Sequence, residues 1–264
     1  MVDANQIVGR HDMLFMTLDT LRYDVAVQTL ERSELPNFAS VLPDEGWQLR
    51  HSPGSFTFAA HQAFFAGFLP TPAGPGPHPR LFAAKFQGSE STTRESYVYD
   101  SPTWVQGLSE AGYRTVCIGG VGFFNKQTAL GRVLPDLFDE SHWSPNMGVT
   151  SSTSAAEQFS LAARIVNDTT PDRRILMFIN VSALHQPNCM YADADEDSPQ
   201  TQAAALTYVD SCLPILFEAL RSRGPTFCIV CSDHGTAYGE SGYHGHRLGH
   251  PVVWDVPYAE FFLK

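Results

Sequence analysis

The sequence has little positive charge. Its 264 residues include 17 Lys and Arg against 28 Asp and Glu, which gives a formal net charge of −11 at pH 7. A protein this acidic lacks the general attraction to nucleic acid or to an anionic membrane surface, so neither is expected as a partner. A phosphate or sulfate group would bind only at a locally positive site, and a bound metal ion is one way to create such a site.

Long apolar runs and a leader segment are also missing. The longest apolar stretches, at 13–18 and 251–262, are short or interrupted by Asp, Tyr and Glu, well below the roughly 20 residues of a transmembrane helix. The N-terminal residues contain no basic region followed by an apolar run and a small-residue cleavage site. We therefore expect a soluble protein of the cytoplasm.

Cysteine is too irregularly spaced to build a disulfide framework. The chain has five cysteines, an odd number, which is typical of reduced thiols in a reducing compartment. Cys228 and Cys231 form a C-x-x-C pair, but the apolar run around them predicts a buried strand, in which positions three apart face opposite sides. Buried structural thiols are expected there rather than a zinc or redox pair.

Strand-like apolar runs alternate with helical patterns along the chain. Strands are predicted over 13–18, 47–51, 113–119, 175–181, 226–232 and 256–263, and helices over 24–32, 57–67, 102–111, 154–168 and 201–222. This alternation predicts one domain over 1–264 with an α/β fold, a three-layer α/β/α sandwich around a mostly parallel sheet. Such sheets bind ligands beyond the carboxyl ends of their strands.

Two polar segments are predicted to be surface loops. The first, at 70–80, is rich in Pro and Gly, and the second, at 191–200, is acidic. Asp193, Asp195 and Asp197 alternate as they would in a calcium-binding loop, but the Gly and the Glu that such a loop needs are absent. A solvated loop is the better interpretation of the acidic segment.

The most informative polar residues follow predicted strands. Four of them come directly or soon after a strand: Asp19, His185, Asp233 and His234. Three more histidines follow in a glycine-rich turn: His244, His246 and His250. Carboxylate and neutral imidazole are ligands for zinc, manganese or iron. Although Asp19 alone would be assigned as a helix N-cap, the whole set indicates a metal site.

Five segments combine into a pattern that is more specific than any one of them. They are LDTLRYD at 18–24; SFTFAAH at 55–61, with Gly67 ten residues after Thr57; the core segment SPTWVQGLSEAGYRTVCIGG at 101–120; FINVSALHQP at 178–187; and SDHG at 232–235, followed by Gly239-Glu240 and Val256-Pro257. Together they resemble the motifs of the alkaline phosphatase superfamily, in its sulfatase and phosphoglycerol-transferase branch.

This resemblance implies a minimal alkaline-phosphatase-like core, without the C-terminal subdomain that many sulfatases add. It also implies a metal ion held by four residues: Asp19, Thr57, Asp233 and His234. Thr57 would be the nucleophile, activated by the ion and by a helix N-terminus, and would form a covalent intermediate that water resolves. An ordinary helix N-cap is the alternative role for Thr57, and Ser55 is the alternative nucleophile, although the spacing to Gly67 favours Thr57.

Further histidines extend the implied site. His246 stands where sulfatases carry a sulfate-contacting lysine, and His250 stands about where two-metal phosphatases carry a ligand for their other ion. Asn180 replaces an Asp of those enzymes, which leaves open whether one or two ions bind. His61 replaces an arginine, so positive charge must come from His185 or a second ion, and we expect His61 to join the other histidines in offsetting phosphate charge. We expect His185 and at least one of His246 and His250 to contact a second ion or the bound anion, with His250 the better metal candidate.

The nucleophile segment also bears on the substrate. Thr57, Ala59 and His61 stand where a sulfatase has C/S-x-P-x-R, so sulfatase activity is disfavoured. We expect a hydrolase of phosphate mono- or diesters that uses zinc or manganese, with iron as a third candidate, on a small-molecule or peptide-linked phosphoester. A phosphoryl transferase or a phosphosugar mutase of the same superfamily is the alternative enzyme, and a metal-binding scaffold is the alternative without activity. The oligomeric state stays open.

Overall fold

A computed structural model describes residues 2–67, 80–83, 96–98 and 102–264. The strands are β1 (Asp12–Leu18), β2 (Gln48–His51), β3 (Arg80–Ala83), β4 (Ser96–Val98), β5 (Arg114–Ile118), β6 (Glu140–His142), β7 (Ile175–Val181), β8 (Thr226–Cys231), β9 (Ala237–Tyr238), β10 (His244–Gly245) and β11 (Asp255–Leu263). The α-helices are α1 (Ala4–Ile7), α2 (Tyr23–Glu31), α3 (Pro36–Ala39), α4 (Thr57–Ala66), α5 (Trp104–Glu110), α6 (Leu130–Val133), α7 (Ser154–Asp168), α8 (Pro199–Arg223) and α9 (Pro251–Trp254). The predicted strands and helices are present close to their expected bounds. The loop predicted over 70–80 lies outside the described residues, apart from Arg80 in β3.

A seven-stranded sheet forms the centre, in the order β2-β11-β8-β1-β7-β5-β6. The five strands from β8 to β6 are parallel to one another, whereas β11 runs antiparallel to both β8 and β2. The predicted mostly parallel sheet is therefore confirmed. Because β1 lies between β7 and β8, the carboxyl ends of these three strands meet at one edge of the sheet.

Apolar side chains from alternate strand positions fill two cores, one on each face of the sheet. In β1, Leu14 and Met16 belong to the core that α2, α7 and α8 cover, whereas Phe15 belongs to the core under α4 and α5. Helices on both faces confirm the three-layer sandwich. Cys228 lies in the first core and Cys231 in the second, so these two buried, unbridged thiols face opposite sides as predicted.

Helix α8 is the longest described helix, and by length and composition it is apolar enough to cross a membrane. The core helix of a globular protein can pass the same test, and Leu206, Leu213 and Phe217 of α8 lie buried in the core. The helix begins after Ser198, whose side chain accepts a hydrogen bond from the Thr201 backbone N–H in a capping box. The acidic segment thus ends at the entry to a helix.

Candidate metal and nucleophile site

Four functional side chains predicted from the sequence converge at the carboxyl edge of the sheet. Asp19 follows β1, Asp233 and His234 follow β8, and Thr57 is the first residue of α4. Parallel pairing of β1 with β8 brings the two strand ends side by side. One ligand atom from each of Asp19, Asp233 and His234 lies within 4.8 Å of the other two, and all three residues are buried.

Thr57 lies directly beside this cluster. Its Oγ1 is 3.4 Å from Asp19 Oδ2 and 3.3 Å from His234 Nε2. The N-cap of α4 is Phe56, and the N-cap of α2 is Arg22, neither with a side-chain capping bond. The alternative role as a helix cap is therefore wrong for both Thr57 and Asp19.

His234 has the tautomer that a metal ligand needs. Its Nδ1–H donates to the backbone carbonyl of Gly235 at 2.9 Å, which leaves the lone pair of Nε2 free. That nitrogen is 3.5 Å from Asp233 Oδ2 and 3.9 Å from Asp19 Oδ1. A hydrogen bond of this kind on the far ring nitrogen fixes the orientation of a metal-binding imidazole.

The two carboxylates each keep one oxygen without a partner. Asp19 Oδ1 and Asp233 Oδ2 are buried and accept no hydrogen bond among the described residues, an arrangement that is costly for a charged group. Burial, followed by the charge of Asp233, raises the pKa of Asp19 to about 6, and burial raises the pKa of Asp233 to about 7. A divalent cation would satisfy both oxygens, and the nitrogen and oxygen donors suit zinc, manganese or iron. The residues present therefore fit a metal ion.

Asn180 supports Asp19 from β7. Its Nδ2 donates to Asp19 Oδ2 at 2.9 Å and to Thr17 Oγ1 at 3.3 Å, while its Oδ1 accepts from the backbone N–H of Val121 at 3.1 Å. Asn180 is fully buried. With both ends of the amide engaged, Asn180 serves to orient Asp19.

His61 is a neutral residue beneath the nucleophile and supplies no positive charge. Its Nδ1–H donates to the carbonyl of Thr57 at 2.7 Å, and its Nε2 accepts from Thr17 Oγ1 at 3.0 Å. The ring is fully buried and contacts Phe65 and Phe178. This burial lowers the pKa of His61 to about 3, so His61 cannot help to offset phosphate charge as the sequence suggested.

His246 stands next to His234, and His185 stands next to His246. The ring centroid of His246 is 4.6 Å from that of His234 and 5.6 Å from that of His185. His185 Nδ1–H donates to the carbonyl of Gln186 at 2.6 Å, which fixes the orientation of its ring. Burial, then the nearby His234 and His185, lowers the pKa of His246 to about 3, so its imidazole is neutral and can bind a cation or accept a hydrogen bond.

From the sequence, His250 was the preferred ligand for a second metal ion, but in the structure its side chain caps a helix. Its Nδ1 accepts a hydrogen bond from the backbone N–H of Val252 at 3.3 Å and thereby caps α9, and its Nε2 lies 3.4 Å from Ser241 Oγ. Among the described residues, the histidine ring that contacts His234 is that of His246, and His185 contacts His246 in turn. His246, and not His250, is therefore the ring that lies against His234.

The sequence reasoning missed the bracing of the histidine-bearing loop. Arg22, which is 5% exposed, pairs with Asp24 at 2.6 Å and also forms a short ion pair with Glu240. Glu240 in turn accepts from the backbone N–H of Tyr238 at 2.6 Å. An ion pair thus connects the first motif of the chain, which contains Arg22, to the last motif, which contains Glu240. The only sequence feature that could have indicated this contact is that both motifs belong to the same family pattern.

The sheet topology and the Asp, Thr and His cluster at its carboxyl edge define a sulfatase-like member of the alkaline phosphatase superfamily. The family model described as Sulfatase matches residues 11–259. This chain belongs to the sulfatase family. No curated protein sequence matches it.

Solved structures share the fold at low sequence identity. The C-terminal periplasmic domain of phosphoethanolamine transferase EptC from Campylobacter jejuni is 13% identical with a TM-score of 0.64, over 98% of this chain and 81% of that one. The corresponding domain of EcEptC from Escherichia coli, in complex with Zn, is 13% identical with a TM-score of 0.62, over 97% and 74%. The lipoteichoic acid synthase LtaP from Listeria monocytogenes is 12% identical with a TM-score of 0.64, over 95% and 65%. At these identities the likeness demonstrates the fold alone.

Proposed function

We propose that this protein is a metal-dependent enzyme that transfers a phosphoryl group from a phosphate ester to Thr57 and then to water. The observation that carries the proposal is the position of Thr57 Oγ1, 3.3 to 3.4 Å from His234 and Asp19 at a buried cluster with two unpartnered carboxylate oxygens. A helix cap or a scaffold has no need of that convergence.

The residues that would hold the ion are Asp19, Thr57, Asp233 and His234. When bound, a divalent ion would lower the pKa of the Thr57 hydroxyl and polarise an oxygen of the ester. Thr57 Oγ would form a bond to phosphorus as the bond between phosphorus and the leaving oxygen breaks, and water would later cleave the phosphothreonine. Because Thr57 is the first residue of α4, the helix N-terminus favours the negative charge on the phosphoryl oxygens.

His185 and His246 are proposed to face the phosphoryl group or to hold a second ion. The ring of His246 lies beside His234 and the ring of His185 lies beside His246, and His246 is neutral. A neutral imidazole can bind a metal ion or accept a hydrogen bond, so His246 can serve in either role. His250 has no part in this proposal because its Nδ1 caps α9.

Membership of the sulfatase family does not by itself specify the ester. A sulfatase of the formylglycine type starts from Cys or Ser, whereas this site presents Thr57 with Ala59 and His61 after it. We therefore favour phosphate esters over sulfate esters. The proposed substrate is a small-molecule or peptide-linked phosphoester, and the proposed location is the cytoplasm.

A transferase is the second candidate. The structural neighbours include proteins described as phosphoethanolamine transferases, and such an enzyme would pass the group from Thr57 to an alcohol instead of water. The two candidates share every step up to phosphothreonine, so the acceptor alone separates them. Adding an alcohol such as glycerol to the assay and looking for a phosphorylated alcohol distinguishes the two.

The test is a comparison of matched aryl esters with protein loaded with zinc or manganese. We expect turnover of p-nitrophenyl phosphate or bis(p-nitrophenyl) phosphate and none of p-nitrophenyl sulfate. Thr57→Ala should reduce the rate to near background while the protein stays folded by circular dichroism. Ser160→Ala, which removes a hydroxyl from an exposed position on α7, is the control and should retain the wild-type rate.

Two results would overturn the proposal. Turnover by Thr57→Ala at the wild-type rate would remove Thr57 as nucleophile, and loss of turnover in Ser55→Ala together with that result would move the role to Ser55. Faster cleavage of the sulfate ester than of either phosphate ester would show that the substrate is a sulfate ester.

A further inference from the structure

Positive charge is scarce around the proposed phosphoryl site. Asp19 and Asp233 are acidic, and His61 and His246 are kept neutral by burial. Arg22 is not available for a substrate because it is paired with two carboxylates. Because a divalent ion at this site would be balanced by the two carboxylates, a substrate with more than one negative charge would gain from a further cation in the chain.

Arg247 is a cation that has no carboxylate partner in the part of the chain that the structure describes. It follows His246 directly, its side chain is exposed, and within residues 2–67 and 102–264 no Asp or Glu forms an ion pair with it. Arg247 therefore follows the histidine whose ring centroid is 4.6 Å from that of His234.

The backbone of Arg247 is fixed to the nucleophile segment. Its N–H donates to the carbonyl of Ser55 at 2.8 Å. Its φ of 70° lies in the left-handed region, which non-glycine residues adopt only where surrounding contacts stabilise it. The chain therefore holds Arg247 in an unfavourable conformation beside the residues that lead into α4.

The side chain of Arg247 is fixed to the same segment. The guanidinium carbon lies 5.5 Å from the ring centroid of Phe56, the residue before Thr57. Stacking on an aromatic ring uses the face of the guanidinium and leaves the N–H groups at its edge free to donate. Those donors have the geometry that binds two oxygens of a phosphate.

We propose that Arg247 binds an oxyanion of the substrate and makes the site selective for dianionic phosphomonoesters over monoanionic phosphodiesters. The proposal deepens the proposed function and rests on it for the identity of the reacting group. A monoester has a third non-bridging oxygen with a second charge, which a diester replaces with an alkoxy group. The Arg247 guanidinium can pair with that charge.

The first test measures binding without turnover. Protein loaded with zinc and freed of excess ion is titrated calorimetrically with inorganic phosphate and with dimethyl phosphate at about pH 8, where phosphate is mainly a dianion. We expect Arg247→Ala to weaken phosphate binding at least about tenfold, as loss of a charge-assisted contact implies, and to change dimethyl phosphate binding by less than about twofold. Arg247→Lys should recover part of the loss, because it restores the charge without the two-pronged geometry.

The control is Arg164→Ala, which removes the same charge from an exposed position on α7 and should leave both affinities unchanged. Three results would each overturn the inference. Arg247→Ala could leave phosphate binding unchanged, it could weaken the binding of both anions equally, or the wild-type protein could fail to bind phosphate. Because no ester is cleaved in this titration, its outcome is separate from that of the proposed function. If Arg247→Ala weakened phosphate binding in a protein that cleaves no ester, the proposed anion-binding role of Arg247 would stand and the proposed enzymatic activity would be refuted.

Discussion

Replacing Asp233 with Asn should stabilise the metal-free protein and abolish its tight metal binding. Asp19 and Asp233 are both fully buried, and their ligand oxygens lie within 4.8 Å of each other. At an effective dielectric constant of about 20, two unit charges at that separation repel by about 3 kcal/mol. Asn removes one charge and keeps Oδ1 as the acceptor for the backbone N–H groups of Thr20 and His234. We expect the free energy of unfolding to rise by about 2 to 3 kcal/mol.

The stability that Asp233→Asn gains over the wild-type protein should increase with pH. Burial raises the pKa of Asp19 to about 6 and of Asp233 to about 7, so the folded metal-free protein holds protons that the unfolded chain releases near pH 4. Wild-type stability without metal must then fall as the pH rises from about 4 to 7. The advantage of Asp233→Asn should be small near pH 4, grow up to about pH 7 and then level off. Urea unfolding in the presence of a chelator across this range measures it.

Adding zinc should reverse the order of stability. The wild-type protein gains stability by binding the ion in its folded state, whereas the variant has lost a ligand and gains little. The matched control is Asp12→Asn, since Asp12 is also buried but is paired with Arg223 at 2.8 Å. Breaking that pair should destabilise the protein by roughly 3 kcal/mol with or without metal. If Asp233→Asn were also less stable than wild type in chelator above pH 7, the unpaired-carboxylate reasoning would be refuted.

Two further predictions concern the residues around the cluster. Asn180→Ala should weaken zinc affinity by about 10-fold or more in chelator competition, because Asp19 loses the donor that orients it; unchanged affinity would mean that Asn180 is only a packing residue. His250→Ala should keep its full metal content by elemental analysis and lose about 1 kcal/mol of stability as a missing helix cap; loss of metal would instead return His250 to the ligand set.

Local sequence patterns predicted the main helices and strands and the position of the metal-binding cluster. Long periodic segments such as α7 and α8 are visible in the sequence because their apolar spacing persists over several turns. The rule that ligands lie beyond the carboxyl ends of parallel strands then placed Asp19, Asp233 and His234 together. Short elements such as α3 and β6 were missed because so few residues cannot show a hydrophobic periodicity.

The roles of single side chains depended on contacts that no local pattern contains. Asn180 was interpreted as a missing Asp, but its register opposite Thr17 in β1 makes it a support for Asp19. His61 was expected to contribute charge, yet four neighbouring Phe rings and full burial keep it neutral. Arg247 went unnoticed because its significance lies in the contact with Ser55 and Phe56, far away in the chain.

The central claim is that Thr57 accepts the phosphoryl group at a metal site. Mixing metal-loaded protein with an aryl phosphate, quenching with acid and mapping the peptides by mass spectrometry tests this directly. We predict one phosphoryl group on Thr57, present with metal and absent in chelator or in Asp233→Ala. A phosphoryl group on another residue, or steady turnover without any phosphothreonine at this position, would contradict it.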